Sequence, residues 1–441
     1  MGKIKVFICL LSFGIVFFIW GKIFSYMVVD DTVWYSTSRI MMHELYTQES
    51  NIDVLFVGSS HCYRSFVPEI ADKLWQKNTF NAGTSSQDLD GSLAVIKEAA
   101  KKNKIEHVYL EIYYGIAMHP AYKKRTEMTS TYLLSDYMKP SLNKLDYLLH
   151  ASSKEYYVNS FIPARRYWES FSDLNYMKNI IQRKNTKIYR EYKYDFVTTE
   201  KEYYAEKGYV ASNEKVEKGT YWTGQDFAPI KEENISTDWR KSLQKIIKFC
   251  QEHDIELTLI SSPMPDFRLY RLGNYDDYIQ VVNDIIQGTG VKYYDFNLCR
   301  ENYFSGEELL FMDTDHLSKT GAEKFTTLFS EFCMGDIPKE ELFYDSYEEK
   351  VKNMPFKIFG FVVTESKEEH LITIEPVTNA EIRRVAYFIS KISDDQKVYK
   401  RKGSSPECNI FYTEGEKGIL KVTGFLDGRK MNEVTAQYGQ E

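Results

Sequence analysis

Two short stretches of the chain contain residue types that suit acyl-transfer chemistry. Ser60 follows an apolar run and a turn that begins with Gly58. A hydroxyl on such a turn is exposed, and the N–H of the same residue can point at a bound acyl oxygen. Asp313 and His316 lie three residues apart, so the carboxylate can hold the imidazole in the orientation that a general base needs. The pattern predicts a serine nucleophile served by a histidine base.

A third stretch contains Gly83, in residues 81–85 (NAGTS), directly after a short predicted strand. Glycine lets the backbone approach a ligand closely, and its N–H can serve as a second donor to an oxyanion. Taken alone, it is more typical of an ordinary turn. All three stretches follow places where strands of an α/β sheet are expected to end, which is where ligands bind in such folds.

Three neighbours of Ser60 are alternatives to it or belong to its surroundings. Ser59 is the obvious competitor, but the Gly-x-Ser register favours Ser60. Cys62 is more typical of a small buried apolar residue than of a nucleophile. His61 is expected to line a pocket or to make a hydrogen bond. Ser60 is therefore the predicted nucleophile.

Asp315 competes with Asp313 as the partner of His316. Its adjacency in the chain makes the approach to Nδ1 awkward, which favours Asp313. The remaining histidines show none of the spacings of a metal site, and the six cysteines are scattered without a CxxC pair. The sequence predicts no metal, no cofactor and no disulfide scaffold.

Length and composition limit the class of protein. A chain of 441 residues is too long for one small module and predicts two or three domains. Apolar residues make up 43% and charged residues 27%, which excludes wholesale disorder. The formal net charge is −7, and no basic run is present, so nucleic acid is not expected as a partner.

Residues 1–29 have the pattern of a membrane anchor. An apolar run over 6–29, interrupted by Lys22, reaches the ~20 residues that cross a bilayer. Lysines precede the run and two aspartates follow it, so the positive-inside rule places the N-terminus in the cytoplasm. No small-x-small cleavage site ends the run, which favours an uncleaved anchor over a signal peptide. We expect a single-pass protein of the cell membrane with an extracytoplasmic catalytic domain.

After a predicted stalk helix at 30–50, short apolar strands alternate with amphipathic helices. Strands are predicted at 53–57, 79–81, 107–112, 255–260 and 291–294. This alternation is typical of a parallel sheet that helices cover on both faces. It predicts a three-layer α/β domain over 51–345.

Two regions depart from that alternation. Residues 116–235 are rich in Tyr, Lys and Glu and show no clear strand, so they predict a helical insertion at the carboxyl edge of the sheet. Its aromatic residues, Trp168 and Trp222 among them, either stack on sugars or form the small core of a cap. Residues 355–441 contain several short strands and predict a small antiparallel β-sandwich of the immunoglobulin-like kind, for binding or for spacing.

In their order and positions, the three stretches resemble the SGNH/GDSL hydrolase superfamily, whose sheet is flavodoxin-like. The matching blocks are Gly58-Ser59-Ser60, Gly83 and Asp313-x-x-His316-Leu317. The resemblance covers about 50–115 and 237–335. It implies these roles: Ser60 as nucleophile, His316 as general base, Asp313 as its orienter, and the N–H groups of Ser60 and Gly83 as oxyanion donors.

Two blocks differ from the family pattern. Ser59 stands where the family has an aspartate, and Glu111 with its neighbours stands where a Gly-x-Asn-Asp block is expected. The usual asparagine donor to the oxyanion is therefore missing. With these differences and its predicted anchor, the sequence most resembles the envelope branch of the superfamily. That branch includes the D-alanyl transfer protein of teichoic acids and the alginate-type acetyltransferases. That branch implies a surface glycan or glycopolymer as substrate.

The expected function is that of a membrane-anchored serine esterase or O-acyltransferase that acts on a cell-envelope glycan through an acyl-serine intermediate. The sequence does not distinguish hydrolysis from acyl transfer, because both reactions pass through the same acyl-enzyme and differ only in the acceptor. The alternative is a noncatalytic protein of this fold that binds a glycan or a partner in an envelope assembly. A third possibility is a structural anchor or adhesin built on the β domain. For the enzyme, the rate is expected to fall below the ordinary imidazole pKa of ~6.5, since the base must be neutral.

Overall fold

The computed structural model describes most of the chain, in two compact units. The described residues are 2–31, 37–117, 129–193, 199–216, 231–306, 308–392, 397–402 and 407–439. The first unit comprises Met1–Ser212, Ile235–Ile260 and Gly288–Lys292, and the second comprises Asn213–Asn234, Ser261–Gln287 and Tyr293–Glu441. Both units take in part of the region expected to be one α/β domain, so the domain boundaries at 51–345 and 355–441 stay a prediction. Trp222 lies outside the described residues.

The chain begins with a long apolar helix and then alternates between strands and helices. The elements before the insertion are α1 (Gly2–Val28), α2 (Thr37–Thr47), β1 (Val54–Val57), α3 (Ser60–Ser65), α4 (Pro68–Trp75), β2 (Thr79–Asn81), α5 (Leu89–Ala100), β3 (His107–Glu111) and α6 (Tyr114–Ala117). Those of the insertion are α7 (Thr129–Ser135), α8 (Leu142–Ala151), α9 (Tyr157–Phe161), a 3-10 segment (Pro163–Ser172), α10 (Leu174–Lys184), α11 (Lys187–Arg190), β4 (Glu202–Glu206) and β5 (Tyr209–Ser212).

The alternation resumes after the insertion and gives way to a region made mainly of strands. The helices and strands that resume it are α12 (Thr237–Glu252), β6 (Glu256–Ser261), α13 (Asp266–Leu272), α14 (Tyr275–Ile286), β7 (Lys292–Asp295), α15 (Lys319–Met334), α16 (Lys339–Leu342) and α17 (Tyr347–Asn353). The final strands are β8 (Ile358–Ser366), β9 (Leu371–Thr378), β10 (Val385–Ile392), β11 (Lys397–Lys402), β12 (Cys408–Phe411), β13 (Gly418–Leu426) and β14 (Arg429–Tyr438).

A five-stranded sheet has the order β2-β1-β3-β6-β7. β1 pairs in parallel with both β2 and β3, and β3 pairs in parallel with β6. Every residue of β1 and β2 is buried, and burial on both faces explains why β1 is a continuous apolar run rather than an alternating one. The predicted parallel α/β sheet is confirmed. Numbered along the chain, its strands follow the doubly wound order 2-1-3-4-5, whose topological switch point lies between the first and third strands.

The predicted anchor and stalk have different surroundings. Residues Ile4–Val28 of α1 form a helix long and apolar enough to cross a membrane. The helix expected at 30–50 is α2, but it does not stand free as a stalk. Ile40, Met41 and Met42 are each 2% exposed or less, because α2 packs into the first unit.

The insertion contains a β-hairpin, β4–β5, that the sequence did not suggest. Its tip, Lys207-Gly208, has positive φ at both residues (48° and 85°), the backbone of a tight hairpin turn without the usual Asn-Gly signal. The tip packs closely against β2. Asn81 donates its N–H to the Lys207 carbonyl at 2.9 Å, and a Cβ at position 208 would lie 1.6 Å from the Asn81 oxygen. Only glycine therefore fits at position 208.

The final strands form two antiparallel sheets around one core, which confirms the predicted antiparallel β region. The sheets have the orders β11-β10-β13-β14 and β12-β9-β8. Buried side chains of both, among them Phe361, Ile374, Ile389 and Val422, belong to a single cluster. In constant-type immunoglobulin domains the fourth strand joins the sheet of the first, second and fifth. Here the fourth strand, β11, pairs with the third, β10, so the strand pairing differs from that of a constant-type immunoglobulin domain.

A buried carboxylate in the second unit connects a helix of the α/β region to the start of this sandwich. Asp266, at the start of α13, lies 2.6 Å from Lys357 Nζ just before β8 and 3.4 Å from Lys350 Nζ in α17. Lys357 also lies 3.0 Å from Glu301. Burial opposes ionisation of Asp266, but the two ammonium groups keep its pKa below the ordinary value.

Asp266→Asn is expected to lower the free energy of unfolding by about 3 kcal/mol, because it leaves a buried ammonium group without its counter-charge. Chemical denaturation of the purified protein measures this loss. Asp336→Asn, at an exposed position, is the control and should change stability by less than ~0.5 kcal/mol. Similar losses in the two variants would show that the Asp266 cluster does not stabilise the unit.

Candidate active site

Ser60 opens α3, directly beyond the carboxyl end of β1. The turn requires glycine at position 58, because a Cβ there would lie 2.6 Å from Glu111 Oε2. Ser59 caps α3, since its Oγ accepts the His61 N–H at 3.2 Å. Ser59 is only 3% exposed, whereas Ser60 is partly exposed. Of the two serines, Ser60 is the accessible one.

A buried carboxylate holds the serine turn from the neighbouring strand. Glu111 ends β3 and is 3% exposed. Its Oε2 accepts the Ser59 N–H at 2.9 Å and the Ser59 O–H at 2.8 Å. Glu111 therefore joins the ends of the two strands that flank the switch point of the sheet. Sequence reasoning noted it only as a departure from the family block, although a carboxylate that ends a buried strand signals a partner, because such groups are rarely buried unpaired.

Glu111→Ala is expected to lower the free energy of unfolding by about 2 kcal/mol, because both Ser59 donors lose their buried acceptor. Glu111→Gln keeps one acceptor oxygen and should lose less. Glu106→Gln, at a side chain 49% exposed, is the control. Urea denaturation of the three variants gives the comparison. If Glu111→Ala lost no more than Glu106→Gln, the contact would not stabilise the turn.

The other two side chains beside Ser60 are buried. The His61 ring is 3% exposed and packs against Tyr113, with 4.1 Å between ring centroids. Cys62 is fully buried, and burial with the nearby Glu111 carboxylate raises the pKa of its thiol well above the ordinary value. A thiol that stays protonated is a poor nucleophile. Cys62 is therefore the small buried residue that the sequence indicated.

Gly83 has an internal hydrogen-bond partner. Its N–H donates to Asn81 Oδ1 at 3.1 Å, while Asn81 Nδ2 donates to the carbonyls of Cys62 and Phe66 at 2.9 Å each. Asn81 thus fastens α3 to the loop after β2. The Gly83 N–H, which the sequence predicts as the second oxyanion donor, is already bonded to Asn81. It could donate to a ligand only if the hydrogen bond to Asn81 were broken.

The hairpin of the insertion is also fixed to α3. Arg64 Nη2 lies 2.9 Å from Glu202 Oε1 at the start of β4, and the Arg64 side chain is 6% exposed. The insertion is therefore part of the surroundings of the serine helix, through a contact between residues 138 positions apart in the chain.

The Asp313–His316 pair has the geometry of an oriented imidazole. His316 Nδ1 lies 2.8 Å from Asp313 Oδ2, and Asp313 Oδ1 accepts the His316 N–H at 2.7 Å. The loop is closed by a bridge between Phe311 and Leu317. The Asp313 side chain is 42% exposed and that of His316 20%. Desolvation opposes ionisation of Asp313, but its bonds to His316 hold its pKa well below the ordinary value. Because Asp313 engages Nδ1, proton transfer by this imidazole would have to use its other ring nitrogen, Nε2.

Asp315 has another partner. Its Oδ1 lies 2.6 Å from Arg268 Nε in α13, and its N–H donates to Asp313 Oδ1 at 2.7 Å. Of the two aspartates, Asp313 is the one that holds His316 Nδ1, in agreement with the preference drawn from the sequence.

The predicted site residues divide between the units. Ser60 and Gly83 belong to the first unit, and Asp313 and His316 belong to the second. Their catalytic roles stay a prediction. Across the described ranges, no group of three or more His, Cys, Asp or Glu side chains is placed to hold a metal ion.

Comparisons with known proteins give no activity for this chain. A family model without a functional description matches residues 228–337, less than half of the chain. No curated protein matches the sequence. Among solved structures, a chain from Streptococcus pneumonia, provisionally described as a platelet activating factor, is similar at 11% identity and a TM-score of 0.28. The match covers 67% of this chain and 91% of that chain, and at such a TM-score it carries no argument.

Proposed function

We propose that this protein is a membrane-anchored, extracytoplasmic serine esterase or O-acyltransferase that acts on a cell-envelope glycan or glycopolymer. The observation that carries the proposal is the contact between Asp313 and His316 Nδ1 at 2.8 Å. An imidazole held in this way is prepared to accept a proton at Nε2. Ser60 is the hydroxyl it would serve.

The sheet supports an SGNH-type assignment for the α/β region. Its strand order, β2-β1-β3-β6-β7, is the flavodoxin-like one that this superfamily implies. Ser60 follows β1 and Glu111 ends β3, so the serine turn flanks the switch point, where ligands bind in doubly wound sheets. Helix α1 supports the anchored location.

In the proposed first step, Ser60 Oγ attacks the carbonyl carbon of the ester while His316 Nε2 takes its proton. Asp313 stabilises the imidazolium that results. The tetrahedral intermediate then expels the alcohol, which receives the proton from His316, and the acyl group stays on Ser60. The step forms one C–O bond and breaks another.

In the second step, His316 takes a proton from water or from a sugar hydroxyl, which attacks the acyl-serine carbonyl. Collapse of that intermediate returns the proton to Ser60 Oγ. Water gives a free acid, and a sugar hydroxyl gives a new ester. The negative oxygen of both intermediates would be stabilised by the Ser60 N–H, with Gly83 as second donor once its bond to Asn81 is exchanged.

Active-site labelling tests the proposal. The full chain in detergent is treated with a fluorophosphonate probe, digested and mapped by mass spectrometry. We expect the adduct on Ser60, and a much slower reaction in His316→Ala. An adduct confined to other serines, or no adduct in folded protein, would contradict the proposed mechanism. Adding an oligosaccharide acceptor to an ester assay separates hydrolysis from transfer.

The bond between Gly83 N–H and Asn81 favours a second candidate function. With that donor occupied and the usual asparagine missing, the fold would serve as a noncatalytic binding component for a glycan or a partner of an envelope assembly. Failure to label Ser60 together with retained binding to envelope polysaccharide would favour this candidate. Rapid labelling of Ser60 would exclude it.

A further inference from the structure

Exposed apolar side chains are concentrated in one part of the insertion. In the described chain outside α1, thirteen large apolar residues are exposed, and seven of them fall within residues 142–174: Leu142, Leu145, Leu149, Val158, Phe161, Trp168 and Leu174. Trp168 is 68% exposed and Leu174 is 75% exposed. Scattered single residues of this kind are ordinary, but a concentration of them indicates an interaction surface.

The segment that carries Trp168 packs directly on the anchor helix. The Phe171 ring meets the Phe24 ring of α1 edge to face, with 5.4 Å between centroids. The Ala164 N–H donates to Ser25 Oγ at 3.1 Å. The 3-10 segment is therefore fixed beside the last turns of α1, and the exposed Trp168 ring packs on Phe171, with 5.9 Å between their centroids.

A second helix of the insertion closes around the end of α1. The Tyr176 O–H donates to the Val28 carbonyl at 3.0 Å, and Val28 is fully buried. Lys184 Nζ lies 2.9 Å from Asp31 Oδ1, just beyond the helix. These contacts belong to α10. Helix α1 is thus held by the insertion, so its end has a defined position relative to the exposed patch.

The level of the contact along α1 matches the edge of a bilayer. A hydrocarbon core of ~30 Å takes about 20 helical residues at ~1.5 Å each. Counted from Ile4, where the apolar stretch begins, this length ends near Ile23. Exposure falls along the same course, from 53% at Trp20 to 37% at Phe24 and 0% at Val28. The 3-10 segment therefore meets α1 where hydrocarbon gives way to headgroups.

We propose that Val158, Phe161, Trp168 and Leu174 form an interfacial platform that contacts the lipid of the outer leaflet beside α1. The proposal rests on the membrane-spanning role of α1 in the proposed function. Lipid is the occupant because the segment that carries Trp168 packs on α1 at the level where about 20 residues of the anchor have crossed the hydrocarbon core. Tryptophan is enriched at this level of a bilayer, where its ring is apolar and its N–H stays hydrated. Exposed Arg165, 6.0 Å from the Trp168 ring, is placed to meet lipid phosphates.

The platform has a consequence for the first unit. With α1 as its one contact with the bilayer, the unit would tilt together with that helix. With both α1 and the platform in contact with lipid, the unit has a fixed height and tilt at the membrane. A surface-attached polymer would then meet the protein from a defined direction.

Spin labelling of the full chain in lipid nanodiscs tests the platform. Exposed Cys9 and Cys333 are first replaced by serine. Single labels are then placed through Phe161→Cys, Trp168→Cys and, as a control on the α4 surface, Lys73→Cys. The collision rates with oxygen, which concentrates in lipid, and with a polar nickel chelate, which stays in water, are measured at each label. We expect the oxygen-to-nickel ratio to be severalfold higher at 161 and 168 than at 73.

The outcomes separate the anchor from the platform. Carbonate extraction is run first. Release of the chain from membranes would overturn both the anchor and the platform, whereas the proposed serine mechanism is tested separately by active-site labelling. In extraction-resistant protein, ratios at 161 and 168 equal to that at 73 would overturn the platform alone. Spin–spin broadening at 168 with little access to oxygen would mean that a second copy of the chain covers the surface, which also overturns the proposal. Two platform positions guard against one variant that fails to fold.

Discussion

Replacement of Ser60 by alanine is expected to lower the rate of ester hydrolysis or acyl transfer by at least about a thousandfold, a loss of roughly 4 kcal/mol in transition-state stabilisation. The reason is that no acyl-enzyme can form without the Ser60 hydroxyl. The measurement is kcat/KM of the full chain in detergent on a chromogenic acetyl ester. The fold should persist, because Ser60 is partly exposed and Ser59 provides the helix cap.

Ser59→Ala is the matched control for Ser60→Ala. It removes the oxygen that caps α3 and one of the two donors to Glu111, so we expect a stability loss of about 1 kcal/mol. Most of the catalytic rate should remain, since the nucleophile is still present. The reverse result, an active Ser60→Ala and an inactive Ser59→Ala, would assign the chemistry to Ser59.

Asp313→Asn is expected to lower kcat by about 10³–10⁴-fold, the size of effect that follows when an imidazole loses its orienting carboxylate. The amide would favour the tautomer with the proton on Nε2, which cannot accept the proton of the nucleophile. KM should change little, because the carboxylate contacts the base rather than the substrate in this mechanism. Steady-state kinetics separate the two parameters.

Asp315→Asn tests whether the effect belongs to Asp313 alone. Asp315 pairs with Arg268 at 2.6 Å, so its loss weakens an ion pair but leaves the contact between Asp313 and His316 in place. We expect a much smaller loss of kcat than in Asp313→Asn. Equal losses would mean that the loop as a whole, rather than the orienting carboxylate, determines the rate.

The lowered pKa of Asp313 fixes the sign of the pH dependence. Its contribution to stability is present above the unfolded-state value of ~3.9 and is lost only as the pH falls through the lower folded value. The side chain is 42% exposed, so that contribution is small. Because Asp313 stays ionised at and above pH ~5, loss of activity between pH ~7 and ~5 should be reversible and should leave the circular dichroism spectrum unchanged. Unfolding over that range would contradict this account.

The local parts of this protein are determined by the sequence itself. The apolar run of α1 and the buried strands are recognisable because each depends on residues close together in the chain. The Asp313–His316 contact is of the same kind, since three residues of separation already bring a carboxylate near an imidazole. The strand-rich character of the final region is also local in origin, although β11, with the sequence KVYKRK, is too basic to resemble a strand with a buried face.

The surroundings of the serine were decided only by the tertiary structure. Glu111 meets Ser59 from 52 residues away, and the hairpin meets α3 from 138 residues away. Neither separation allows the contact partner to be predicted from the sequence. Closing a loop of such length costs nearly the same free energy for many alternative pairs of residues. Parallel pairing of β1 with β3 brings Glu111 to Ser59, and docking of the insertion brings the hairpin to α3. The packing of α2 and the contact of the insertion with α1 have the same origin: burial of apolar surface is non-directional, so the amphipathic pattern of a helix says that one face is covered but not by what.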